Sequence, residues 1–144
     1  KESLVIVGEG YSKAPLMALA AELGISEKVL FTGFQSNPYK WMAHSRLFIF
    51  CSKFEGLPTV LIEALSLGCP LIATATPTGI EEILMYGKAG ILVRMGDDNS
   101  LSEAIHTLLT DEALRASFLE NSKEILVQFQ IQNMVREFER LIVA

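Results

Sequence analysis

Short apolar runs alternate with longer stretches of helical periodicity along this 144-residue chain. Leu4–Val7 ("LVIV") ends at Gly8, Val29–Thr32 ("VLFT") ends at Gly33, and Leu47–Cys51 ("LFIFC") ends at a polar turn. Pro70–Ala75 ("PLIATA") and Gly90–Val93 ("GILV") complete the strand-like set. Between them the spacing predicts helices over Tyr11–Leu23, stopped by Gly24, and over Pro38–His44. Further helices are expected from Pro58 to the stop at Gly68 and over Ile80–Tyr86. Ser100–Leu109, Glu112–Val127 and about Asn133–Val143 follow as three more. Strands apolar on both faces, separated by helices, imply a parallel sheet covered on both sides. The expected class is α/β, doubly wound, as one domain over residues 1–144 with no dividing linker or repeat. Such sheets bind ligands beyond the C-terminal ends of their strands. That directs attention to "GEG" (8–10), "GFQSN" (33–37), "SKFEG" (52–56) and "TPTG" (76–79).

Charge and composition narrow the classes. A net charge of -5 and the lack of any Lys/Arg run argue against a nucleic-acid partner. No apolar run reaches the ~18–20 residues of a membrane span. The opening "KESLVIVGEG" holds only a four-residue apolar run, too short for a signal peptide. Cys51 and Cys69, seventeen residues between them, have no partner motif and read as inert core thiols in a reducing cytoplasm. No metal site is expected. His44 and His106 lack an orienting carboxylate and read as structural or surface residues. "VGEGYSK" has Gly8 and Gly10 but Lys13 where a dinucleotide fingerprint needs its third glycine, so it reads as a tight turn.

The stretch "FEGLPTVLIEALSLGCP" poses a sharper question. Glu63 falls among Val60, Leu61, Ile62, Leu65 and Leu67, and burying an unpaired carboxylate there would be costly. Helical spacing puts Thr59, Glu63 and Ser66 on a narrow polar stripe, with Glu55 in the loop that enters the helix. The N–H groups of the first turn, around Thr59 to Leu61, suit an anion. A capping or ion-pairing role explains Glu55 well enough. It explains Glu63 poorly, because no basic residue lies within a turn of it. A polar ligand fits both.

"SKFEGLPTVLIEALSLGCPLIAT" resembles the signature of family 4 glycosyltransferases, retaining enzymes of the GT-B fold, whose Glu-x7-Glu motif is matched by Glu55 and Glu63. "VGEG" after a strand, "VLFTGFQ", "GIEEIL" and "GKAGILV" with its acidic turn extend the similarity in order over nearly the whole chain. The resemblance implies a Rossmann-like, C-terminal half of a GT-B fold that binds a nucleotide diphosphate sugar, with UDP the expected nucleotide and no metal required. It implies that Glu63 bonds the ribose hydroxyls and that Glu55 faces the transferred sugar as the catalytic carboxylate. Backbone groups of Gly56, Leu57, Pro58, Thr59 and Val60 would meet the sugar and diphosphate, and the Gly33–Phe34 turn would edge the base. Glu82 matches a frequent acidic position, with a structural or acceptor-side role.

The resemblance also implies a fragment. The family's N-terminal half, which binds a glycan or lipid-linked acceptor, would lie outside this stretch. So would the first strand of this half, with the Arg and Lys that neutralise the diphosphate. A cytoplasmic protein, peripheral at the inner face of the membrane, is the family-level expectation. The alternatives are a sugar-nucleotide epimerase of related architecture and a non-catalytic binding domain. The last helix places Met134, Phe138, Leu141 and Ile142 on one side, which either packs on the domain or is left as an uncovered, self-associating stripe.

Overall fold

The computed structural model describes residues 2–76 and 79–143. The chain divides into two compact units, Lys1–Pro38 and Tyr39–Ala144. Its strands form two parallel sheets, one in each unit, where the alternation had suggested a single sheet.

The first unit is a β-α-β crossover. Strand β1 (Leu4–Val7) leads to helix α1 (Lys13–Glu22), a 3-10 turn (Ser26–Lys28) and strand β2 (Val29–Gly33). Leu4 lies opposite Val29 and Ile6 opposite Phe31, and a bulge then brings Val7 opposite Gly33. The strand ends close on each other, with the Gly8 N–H donating to the Gly33 carbonyl at 2.9 Å. The expectation that every strand is covered on both faces fails here: Leu4 and Leu30 are about half exposed. Two strands with one crossover helix have only one face that the helix can cover.

The second unit runs α2 (Tyr39–Ala43), β3 (Phe48–Phe50), α3 (Thr59–Ser66), β4 (Leu71–Ala75), α4 (Ile80–Ile83), β5 (Ile91–Arg94), α5 (Asp98–Thr110), α6 (Glu112–Gln128) and α7 (Ile131–Val143). Its sheet has the order β3-β4-β5, all parallel. β4 is the central strand, and Leu71, Ile72 and Ala73 have no exposed surface. Period-two alternation sends these residues to opposite faces. Leu71 and Ala73 join a core with Leu61, Ala64 and Leu65 of α3, Ile80 and Ile83 of α4, and Ile125 of α6. Ile72 joins the other core, with Val93, Ala104 and Leu108 of β5 and α5, and Phe118 of α6.

Several elements differ from expectation for local reasons. The helix expected over Ile80–Tyr86 stops at Ile83, because Met85 and Tyr86 adopt left-handed backbone (φ 50° and 54°) that a right-handed helix cannot contain. α3 ends as expected: Gly68 takes φ +72°, and the Cys69 N–H returns to the Ala64 carbonyl at 3.0 Å. Cys69 is buried, but Cys51 is exposed just past the end of β3, which corrects its reading as a core thiol. In α7, Met134, Phe138, Leu141 and Ile142 are all exposed. Among the described residues, no helix is long and apolar enough to cross a membrane.

Two outcomes follow from the core under α3, which holds Cys69, Leu71 and Leu84. A Cβ on Gly90 would sit 2.9 Å from the Leu71 carbonyl oxygen and 3.0 Å from Leu84 Cδ2. Gly90→Ala should therefore cost about 1–3 kcal/mol, the range for overpacking against atoms that cannot yield, read as a lower urea midpoint. Burial raises the Cys69 thiol from 9.0 to about 11. The unfolded chain then loses that proton first, so the contribution is intact below pH 9 and declines as pH rises toward 11. Urea unfolding should show a loss of roughly 2–3 kcal/mol over that window. Cys69→Ala should flatten this dependence, and an equally steep variant would assign it to another group.

Candidate active site

The site begins where β3 ends. Thr74, buried near the end of β4, donates its hydroxyl to the Ser52 carbonyl at 3.0 Å. This pins the chain leaving β3 to the central strand. Three residues on, the half-buried Glu55 carboxylate accepts a hydrogen bond from the Ser52 hydroxyl, with Oγ 2.7 Å from Oε1. That distance is typical of a strong O–H···O⁻ bond. Glu55 Oε2 has no hydrogen-bond partner among the described residues.

Pro58 then turns the chain into α3. Its φ of -77° and ψ of 83° lie near the inverse γ-turn, and the Thr59 N–H donates back across it to the Leu57 carbonyl at 2.9 Å. The Leu61 N–H donates to the Pro58 carbonyl at 3.0 Å. Two of the donors expected to meet an anion, those of Thr59 and Leu61, are thus already used, and Pro58 has no N–H to give. The N–H groups of Gly56, Leu57 and Val60 have no partner among the described residues. Two of these three unpaired donors lie in the loop ahead of the helix rather than in its first turn. Leu57 packs toward the next strand's exit, with Cδ1 3.6 Å from where a Cβ on Gly79 would lie.

Glu63 is half-buried on α3 beside the fully enclosed Leu61, Ala64 and Leu65. It lies on the flank of the apolar face rather than inside it, which removes much of the expected burial cost. No hydrogen bond or ion pair reaches its carboxylate among the described residues. Ser66, expected to continue the polar stripe, instead donates its hydroxyl to the Ile62 carbonyl at 2.7 Å and is exposed. Thr59 is exposed at the start of the helix.

The other expected residues are located as follows. In the first unit, Gly33 closes β2 with φ +70°, and the Phe34 ring beyond it is largely exposed. Glu82 is exposed on the first turn of α4 beside Glu81. Pro77 and Thr78 of "TPTG" lie outside the described residues. His44 is exposed, its Nδ1 2.7 Å from the Lys40 carbonyl, and His106 is exposed on α5. The acidic turn after β5 has a structural use. Asp97 caps α5 by accepting from the Ser100 N–H at 3.0 Å and the Ser100 hydroxyl at 2.7 Å, and these bonds hold its carboxyl below the usual range. An open hollow bounded by Arg94, Gly96 and Asn99 is the surface of that same capping turn. Among the described residues, no three potential metal ligands converge.

Residues 2–125 match the family described as glycosyl transferases, group 1. The chain belongs to this family. Among similar proteins, the N-acetylgalactosamine-N,N'-diacetylbacillosaminyl-diphospho-undecaprenol 4-alpha-N-acetylgalactosaminyltransferase of Campylobacter jejuni is 39% identical over 93% of this chain. The N-acetyl-alpha-D-glucosaminyl L-malate synthase of Bacillus anthracis is 32% identical over 96% of it. The chain spans 37% and 36% of their lengths, little more than a third. Anabaena Alr3699/HepE, solved in complex with UDP, superposes with a TM-score of 0.89 at 23% identity, covering 99% of this chain and 41% of that one. That likeness establishes the Rossmann-like, GT-B type of fold. The family match takes in Glu55, Glu63 and all five strands, and ends before α7.

Ser52 and Thr74 were not singled out by sequence reasoning. A serine three residues before the glutamate was the available signal, since Ser commonly bonds a partner a few residues along the chain. The threonine, on another strand, left no local trace.

Proposed function

We propose that residues 1–144 form the donor-binding domain of a retaining, family 4 glycosyltransferase that uses a nucleotide diphosphate sugar in glycan or polysaccharide synthesis. The observation that carries this reading is the pair of carboxylates on one short stretch. Glu55 is held by Ser52 with one oxygen unengaged, Glu63 is unpartnered, and unpaired backbone N–H donors lie between them. An ionised carboxylate accepts hydrogen bonds from adjacent hydroxyls, and N–H groups at a helix entrance suit a diphosphate leaving group. In this reading Glu63 accepts from the ribose hydroxyls and Glu55 faces the transferred sugar. The N–H groups of Gly56, Leu57 and Val60 take the sugar and diphosphate oxygens, and no metal is assigned a role. UDP is the proposed nucleotide, supported by the UDP complex of Anabaena HepE. A lipid-linked or glycan acceptor is supported by the undecaprenol-linked substrate named for the Campylobacter relative. It would be held by the rest of the protein, which we place in the cytoplasm at the inner face of the membrane.

Glu63→Ala in the intact protein should weaken UDP binding by about 1–3 kcal/mol, the range for a lost charge-assisted bond, measured by calorimetric titration. Folding should survive, because an unpartnered carboxylate leaves no buried donor behind. Unchanged UDP affinity with collapsed stability would make Glu63 a structural residue. Glu55→Gln should depress kcat while KM for the donor moves little, since its contact is with the reacting sugar. A pure rise in KM would remove Glu55 from the reaction centre. NMR of the product should show the anomeric configuration of the donor, and an inverted product would refute retention.

A further inference from the structure

We propose that Ser52 is a positioning residue for Glu55, and that Thr74 sets Ser52 in place. This rests on the reading of Glu55 as the carboxylate facing the transferred sugar. A glutamate in a loop has three side-chain torsions free to turn, and a reacting group must be held in one orientation to be effective. The Ser52 hydroxyl supplies that hold. It has a single proton and two acceptors in reach, Glu55 Oε1 at 2.7 Å and the Phe54 carbonyl at 3.2 Å. The shorter, charge-assisted contact takes the proton. With Oε1 engaged, Oε2 is the oxygen turned to substrate.

The same residue is anchored through its backbone. The Ser52 carbonyl accepts from the Thr74 hydroxyl at 3.0 Å, while the Phe50 carbonyl stands 3.5 Å from that hydroxyl. Thr74 is almost fully buried on β4, following Ile72 and Ala73, which sit one in each core, so its position is fixed by the strand. The path runs from a rigid strand, through a buried hydroxyl, to a loop carbonyl, and then through a second hydroxyl to the carboxylate. Hydrogen-bonded support of this kind is what gives a loop-borne group the precision of the sheet behind it.

The experiment compares Ser52→Ala, Ser52→Thr, Glu55→Gln and the Ser52→Ala/Glu55→Gln double variant in the full-length protein. Calorimetry measures UDP affinity, and UDP release from UDP-glucose and UDP-N-acetylhexosamines measures turnover. Ser52→Ala should lower kcat about 10- to 100-fold, the scale of a misplaced reacting group, with UDP affinity and melting temperature unchanged. Ser52→Thr, which keeps the hydroxyl, should recover most of the loss. In the Glu55→Gln background, Ser52→Ala should cost less than about twofold, because residues acting as one unit are not additive. Should Ser52→Ala fold poorly, Thr74→Val supplies the second arm and should lower kcat in the same non-additive way. Full turnover by Ser52→Ala, beside an impaired Glu55→Gln, would overturn the positioning role and leave the proposed function standing. Additive losses in the double variant would place the action of Ser52 elsewhere. Full turnover by Glu55→Gln, or none by the unmodified protein, would overturn the reading on which the inference rests.

Discussion

The enclosure of the first residues of β4 is the constraint from which the second unit takes its form. Leu71, Ile72 and Ala73 are enclosed on both faces, and their alternation divides the interior into the core under α3 and the core under α5. A strand in that position can move neither along its axis nor across the sheet without opening both cores. Gly90 shows how tight the fit is, since its missing side chain is what admits the Leu71 carbonyl. Interiors packed this densely transmit position faithfully. The end of β4 is therefore a fixed point, and Thr74 and the loop it ties down inherit that fixity.

The two glutamates use this scaffold differently. Glu63 takes its place from α3, whose opposite side supplies Leu61, Ala64 and Leu65 to the core. Helical spacing alone then puts it on the flank, half-buried and without a partner among the described residues. Glu55 has no helix to position it. Its orientation depends on hydrogen bonds, and the nearest source is the hydroxyl three residues before it. A motif with fixed spacing between two acids thus joins one residue placed by packing to another placed by polar contacts.

Much of this was legible in the sequence wherever the signal is local. Apolar runs located all five strands to within a residue or two, because a fully or partly buried strand must be apolar whatever lies around it. Gly24 and Gly68 marked helix ends through the left-handed conformations they adopt. The ordered motifs around Glu55 and Glu63 pointed to a glycosyltransferase, as the family match bears out. The legible part ended where an outcome depends on partners distant in the chain. Cys51 lies in an apolar sequence yet is exposed, since only β3's three central residues are ladder-paired and the chain then leaves the sheet. Met85 and Tyr86 look helical by composition, but the chain turns there through left-handed backbone to start β5. Thr74 to Ser52 spans two strands and has no signature along the chain.

The entrance to α3 shows how a general rule is altered by one residue. A helix N-terminus ordinarily offers several unpaired N–H groups to an anion. Here Pro58 contributes none, and the γ-turn it centres draws the Thr59 N–H back to Leu57. Donor capacity shifts forward into Gly56 and Leu57, nearer in sequence to Glu55 than to Glu63. Gly56 has open space where a side chain would stand, so an approaching group can come close to its backbone. A glycine followed by a proline-centred turn therefore leaves unpaired donors in the loop, next in sequence to the carboxylate that Ser52 holds. In the proposed reading, a ligand bearing both hydroxyls and an anionic bridge is met in that order along the chain: its reacting end at Glu55, its bridge at the loop donors, and its hydroxyls at Glu63.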